Sequence, residues 1–212
     1  MKALGMIEVY SFTTAVCVAD VAAKAADVKI IALDRNRPLS PDVPAPLVMI
    51  VKIEGTVSAV RAAVEAGVEY AKNKGKYIVS HIIANPGENV EKMAYLLDIN
   101  KDKFSKNMPK TYLDAPEPEI KKHGAYGIVE VQGLVASIEG LDNMLKTADV
   151  RLIHTEKRLG GRLVTFIITG SVSSVSEAVR SGCCAAAKLG TVYGCEVIPY
   201  PHSEIAKFFS LV

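Results

Sequence analysis

The segment LGMIEVYSFTTAVCVADVAAKAADVKI, which begins at Leu4, returns as YGIVEVQGLVASIEGLDNMLKTADVRL from Tyr126. A chain that repeats itself at this length must build one supersecondary unit twice, and that limits its folds more than any single motif. Placing Gly5 on Gly127 sets an offset of 122 and aligns Glu8 with Glu130, Asp20 with Asp142 and Lys24 with Lys146. From Gly55 on Gly170 the offset is 115, so the first copy carries seven extra residues, between Asn36 and Leu47. Beyond them Val57, Val60, Val64, Gly67, Gly75 and Pro86 match Val172, Val175, Val179, Gly182, Gly190 and Pro201.

Each copy reads as strand, helix, strand, strand, helix, strand. ALGMIEV and YGIVEV are short apolar runs of the kind that form buried strands. An Ala-rich helix follows from Thr13 to Ala26, and the helices stop at Asp27 and Asp149 before VKIIAL and VRLIHT. PLVMIVKIEG and RLVTFIITG are β-branched strands that end at glycine. The next helix shows its buried face at Val57, Val60, Val64, Gly67, Val68 and Ala71, repeated at Val172, Val175, Val179, Gly182, Cys183 and Ala186. Gly75 and Gly190 suit helix C-caps, and YIVSHII and VYGCEVI close the two units. The expected fold is α+β, two tandem ferredoxin-like β-α-β-β-α-β domains spanning 1–93 and 123–212. A polar connection over 94–122, rich in proline and preceded by a short helix near 90–97, joins them.

Balanced charge excludes a large electrostatic footprint: 25 Lys and Arg stand against 23 Asp and Glu. With no Trp, 8 Tyr and 5 Phe there is also little for base stacking, so nucleic acid is not an expected partner. No leader and no membrane helix are expected, because LVTFIITGSVSSV, the longest apolar stretch, is short and broken. Cys17, Cys183, Cys184 and Cys195 offer no metal-ligand spacing and read as small core residues in a reducing compartment. Nucleophile-elbow, phosphate-loop, zinc-protease and dinucleotide motifs are all missing, so no catalytic residue is assigned. His81 and His154 fall in strands, His123 in the connection and His202 after the last strand, none beside a carboxylate or cysteine at a telling spacing. Glu8 and Glu130, recurring within apolar strands, read as a structural or inter-subunit hydrogen bond rather than a catalytic pair.

The runs GIVEVQGLVASIEGLDNMLKTADV, TEKRLGGRLVTFIITGSVSSV and VIPYPH, with GMIEV, DVAAKAADV, IEGTVSAV and HIIANP in the first copy, resemble bacterial microcompartment shell domains. Both copies start from the same strand, which resembles the unpermuted tandem class. The resemblance implies a structural protein, not an enzyme, that forms a homotrimer imitating a hexamer and tiles a shell in the cytoplasm with other shell proteins. Small metabolites pass or are blocked at a central pore. It also implies pore-lining roles for Leu159, Gly160, Gly161 and Arg162, where Arg162 or Arg158 in three copies favours anions. In the longer, proline-stiffened first-copy loop the same role falls to Arg37, Pro38, Leu39 and Ser40. Lys24 and Lys146 match the family's tile-edge lysine. Asn85 and Tyr200 stand where the family often has an arginine, a departure in the edge contact. Some relatives hold an iron–sulfur cluster through a cysteine in the first loop; none lies there, so no cofactor or metal is expected. The alternative reading is a small-molecule-binding regulator built from two ferredoxin-like domains.

Overall fold

The computed structural model describes residues 2–38, 40, 42–87, 90, 124–156 and 159–209. The first half runs β1 (Ala3–Tyr10), α1 (Phe12–Ala25), β2 (Lys29–Asn36), β3 (Val48–Gly55), α2 (Val57–Asn73) and β4 (Tyr77–Ile83). The second runs β5 (Ala125–Gln132), α3 (Leu134–Thr147), β6 (Val150–Glu156), β7 (Leu163–Gly170), α4 (Val172–Ala187), β8 (Thr191–Ile198) and the short α5 (Ser203–Ala206). The element order is the one the repeat predicts, in both copies. Leu39, Arg158, His123 and the connection over 94–122 lie outside the described residues, as does nearly all of the expected 90–97 helix.

Each half is a four-stranded antiparallel sheet, in the order β2-β3-β1-β4 and β6-β7-β5-β8. Even the irregularities recur. The central strand slips against its outer neighbour between Glu8 and Val9, and again between Glu130 and Val131. The first edge strand slips between Ile30 and Ala32, and again between Leu152 and His154. A bulge placed twice at one register is a feature of the unit, not an accident of one copy.

Local chemistry explains the second helix of each unit. The side chains of Thr56 and Ser171 accept from Ala59 N at 3.3 Å and Ser174 N at 3.1 Å, which caps α2 and α4. Val60, Ala63, Val64, Gly67 and Ala71 are buried along α2, and Val175, Ala178, Val179, Gly182 and Ala186 along α4. The central strands meet these helices through glycine. A Cβ at Gly5 would stand 2.7 Å from Val60 and Val64, and one at Gly127 would stand 2.6 Å from Val179. Gly75 ends α2 with φ +64, as a C-cap glycine does. Gly190 does not: it lacks positive φ, and tight packing keeps it small, since a Cβ would fall 2.5 Å from the Gln132 carbonyl.

One core is shared by both halves. Phe12, Val16, Val18, Ile30, Leu33 and Met49 pack in one cluster with Tyr126, Ile128, Ile167, Ile198 and Phe209. A second, smaller cluster lies within the second half around Met144, Phe166 and Val175. The reading of all four cysteines as core residues is corrected here. Cys17 is buried and Cys183 half-buried, but Cys184 and Cys195 are exposed. Helix and strand periodicity places a side chain on a face; it does not say where that face ends. No helix among the described residues is long and apolar enough to cross a membrane.

Candidate functional site

The two first helices of the repeat share one apolar face and have opposite surroundings. In α1 nearly every residue from Phe12 to Ala23 is buried, the signature of a helix covered on both sides. One side meets its own sheet and the other meets the second half, so that α1 lies against β5, β8 and α5. In α3 only Ala136, Ser137, Gly140 and Met144 are buried. At the offset of 122, Phe12, Thr13, Val16 and Ala23 correspond to Leu134, Val135, Ile138 and Leu145. The first four are 0–5% exposed, whereas the second four are 60%, 72%, 60% and 43% exposed. One face of one repeat is sealed inside the chain, and the equivalent face of the other stands open.

The sealed seam shows what such a face binds. Glu130 of β5 reaches across it and accepts from Ser11 Oγ at 2.5 Å and from Thr13 N at 3.1 Å, at the start of α1. Ser11, the N-cap with φ 78, makes no cap bond of its own, so the carboxylate takes that place, favoured by the positive end of the helix dipole. Two turns on, Asp20 accepts from Lys24 Nζ at 2.5 Å and from His202 N at 2.8 Å. Glu204 accepts from Ile30 N at 2.7 Å, Lys74 pairs with Glu196 at 2.6 Å, and Lys76 Nζ donates to the Tyr193 carbonyl at 2.6 Å. Phe209 closes the seam edge-on to Phe12 and Tyr126, with ring centroids 6.4 Å apart in each case. Of these residues the sequence named Glu130, Asp20 and Lys24 through their recurrence and His202 by its type, but none of them as a contact between the two halves. The partners of Asp20, Lys76 and Glu204 left no signal, because they are backbone groups distant in sequence.

The β6–β7 loop lies beside this seam. Gly160, Gly161 and Arg162 all adopt left-handed φ, at +87, +61 and +59. Leu163 N closes the turn on Gly160 O at 3.0 Å, and Gln132 Nε2 holds Gly161 O at 2.9 Å. Two glycines are required for that run; Arg162 adopts the third position with its side chain exposed. Leu159 differs from the expectation of a lining side chain. It is buried in the shared core, so the loop tip presents Gly160, Gly161 and Arg162. Pro46, at the end of the β2–β3 connection, lies 3.8 Å from where a Gly161 Cβ would be. The two inter-strand connections therefore meet, with Arg37 and Ser40 exposed and Pro38 half-buried in the first of them.

The expected edge residues lie apart from these loops. Asn85 and Tyr200 are exposed, Tyr200 by 78%. Lys146 pairs with Asp142 at 2.6 Å on an open helix surface. Lys24 makes the equivalent pair with Asp20, but at the sealed seam, so its surroundings are not those of Lys146. His202 caps α5, its Nδ1 accepting from Glu204 N at 3.2 Å. His154 packs on Phe209 at 5.2 Å, and burial holds its imidazole below the ordinary range. Cys195, next to Glu196 on β8, has the Cys183 thiol as its hydrogen-bond partner. That bond, helped by Lys76 and Lys74 against burial and Glu196, lowers Cys195 to about 6.

The BMC domain family matches twice, over residues 3–86 and 125–201. The chain is 32% identical over 206 residues to the carboxysome assembly protein CcmO of Synechococcus elongatus, covering 96% of this chain and 67% of that one. It is 45% identical over 83 residues to the bacterial microcompartment shell protein PduA of Salmonella typhimurium, covering 39% of this chain and 87% of that one. A solved microcomparments protein from Desulfitobacterium hafniense aligns over 95% of this chain and 96% of its own, at 27% identity and a TM-score of 0.37. The relatives named for a role are shell and assembly proteins rather than enzymes. With two matching domains, each starting from the same strand, the chain belongs to the BMC-domain family of bacterial microcompartment shell proteins, in its unpermuted tandem form.

Proposed function

We propose that three copies of this chain close head-to-tail into a ring of six alike domains, and that this ring is a tile in the wall of a bacterial microcompartment in the cytoplasm. The observation that carries the reading is the open face of α3. Leu134, Val135 and Ile138 stand exposed where Phe12, Thr13 and Val16 are sealed by a neighbouring domain. The face that would seal them belongs to the first half, whose β4 leaves Val79 half exposed. One chain offers a covered helix and an uncovered one, a covered sheet and an uncovered one. A joint of that kind is heterologous, and it either closes into a ring or runs on as a filament. Copying the in-chain geometry from one domain to the next favours closure.

In such a ring the β2–β3 and β6–β7 connections, which abut within one chain, gather at the centre. Gly160 and Gly161 admit close approach there, and three copies each of Arg162 and Arg37 give the passage a positive lining that favours small anionic metabolites. Other shell proteins adjoin the rim, where Lys146, Asn85 and Tyr200 are exposed. The test is mass and assembly. The purified chain should sediment at three times its 22.7 kDa and pack laterally into sheets under the electron microscope. A monomer at micromolar concentration refutes the ring.

A further inference from the structure

We propose that Glu8 is an inter-copy helix cap: its carboxylate accepts the backbone N–H groups that open α3 of a neighbouring copy and so sets the register in which two copies join. This rests on the ring reading above and adds to it the polar contact that makes the joint specific.

Glu8 and Glu130 hold one position of the repeat in every respect the sheet defines. Glu130 lies opposite Thr165 on one side and Gly194 on the other. Glu8 lies opposite Ile50 and Val79, which are the same two positions at the offset of 115. Both stand immediately before the same bulge, so both side chains leave the same face of their sheets. Glu130 uses its carboxylate on Ser11 and Thr13 at the start of α1. Glu8 is half-buried and has no hydrogen bond or ion pair among the described residues.

The groups it would meet are equally unmatched. At the offset of 122, Ser11 and Thr13 become Gly133 and Val135. The N-cap of α3 is Gly133, with φ 105 and no side-chain cap bond. Gly133 has no hydroxyl to donate to a carboxylate as Ser11 does, and the opening N–H groups of α3, at an exposed helix start, have no side-chain acceptor among the described residues. An open helix start and an unused carboxylate, at the two positions whose counterparts are bonded within the chain, make a complementary pair. The two joints are not strict copies. A Cβ at Gly194 would fall 2.8 Å from Thr13, and Val79 occupies the position of Gly194 in the first half. The joint between copies is therefore wider, to admit the Val79 side chain, and Val79 and Val135 bury each other there. A glutamate, with three rotatable side-chain bonds, spans that extra width where an aspartate does not.

The experiment is sedimentation of wild type, Glu8→Ala, Glu8→Gln and Glu130→Gln across a dilution series, with far-UV circular dichroism to confirm folding. Loss of a capping carboxylate weakens each joint about fivefold, which is ~1 kcal/mol converted at ~1.4 kcal/mol per tenfold. Three joints multiply to about a hundredfold in the association constant. The concentration at half-dissociation, which follows its square root for a trimer, then rises about tenfold in Glu8→Ala and less in Glu8→Gln. Glu130→Gln should lower the urea midpoint of the chain and leave the half-dissociation concentration in place. An unchanged half-dissociation concentration in Glu8→Gln, which keeps the side-chain shape, together with a trimeric wild type overturns the cap and leaves the ring standing. A wild type that is monomeric throughout overturns both.

Discussion

Val16 and Ile138 occupy one position of the repeat, and the same substitution at each should fail in different ways. Val16 is wholly buried in the core that the two halves share. An aspartate there places an unpaired charge among apolar groups, at a cost of several kcal/mol beyond the lost packing. Domain stabilities are about 5–15 kcal/mol in total, so Val16→Asp should not fold. Ile138 is 60% exposed in the single chain, with Leu134 at 60% and Val135 at 72%. Together these three expose about two side chains' worth of apolar surface, worth ~3–6 kcal/mol per joint when covered. Ile138→Asp forfeits ~1–2 kcal/mol of that and adds a desolvation penalty of similar size, about a hundredfold per joint or more. Ile138→Asp should therefore give a folded monomer by sedimentation, with native circular dichroism. A variant that still sediments as a trimer, or that unfolds as Val16→Asp does, would falsify the assignment of the α3 face as the joint.

Other consequences can be checked separately. Gly194→Val brings a Cβ to within 2.8 Å of Thr13 at the in-chain seam; its urea midpoint should correspond to a loss of ~1–3 kcal/mol, and wild-type stability would show the seam to be slack. Burial lowers the pKa of His154, with Glu156 acting the other way, so the unfolded chain binds the proton more readily. Stability should fall as pH drops below the ordinary value of 6.5, and His154→Asn should flatten that slope in urea titrations run at several pH values. Thiol labelling of the folded protein near neutral pH should modify Cys195 first, since its pKa is lowered to about 6. Cys17, buried and pushed up to about 12, should react only after unfolding, and early labelling of Cys17 by mass spectrometry would contradict its placement in the core. Lys146→Asp should leave trimers intact and abolish lateral sheets, because Lys146 stands on an open helix surface. Lys24→Asp is a less clean probe, since it also disturbs the Asp20 contact with the His202 amide.

Much of the molecule was legible from residue order. The β-α-β-β-α-β unit followed from apolar periodicity, and its duplication from identities such as Glu8 with Glu130 and Gly5 with Gly127. The resemblance to shell domains came from the same residues. Those signals are local: a valine every third or fourth position fixes a helix face whatever lies beyond it. The left-handed run at Gly160–Arg162 was half visible, because glycine marks the first two positions and nothing marks Arg162. Cys184 and Cys195 were misjudged for one reason: a small residue carries no label for which face of its helix or strand is covered.

The difference between the halves was only faintly written in the sequence, where Cys17 and Val21 of α1 stand at the positions of Glu139 and Asn143 in α3, and tertiary structure decided it. Phe12-Thr13 and Leu134-Val135 are both apolar or nearly so at the start of a helix, and nothing in either run tells the buried one from the exposed one. Burial is a relation between a surface and what rests on it, and a repeated sequence writes the same surface twice. The fold supplies a covering domain for α1 and leaves α3 without one, because the chain holds two units and a single joint between them. Sequence determined the unit and its doubling; the packing of one unit on the other determined which faces were covered and which stayed open.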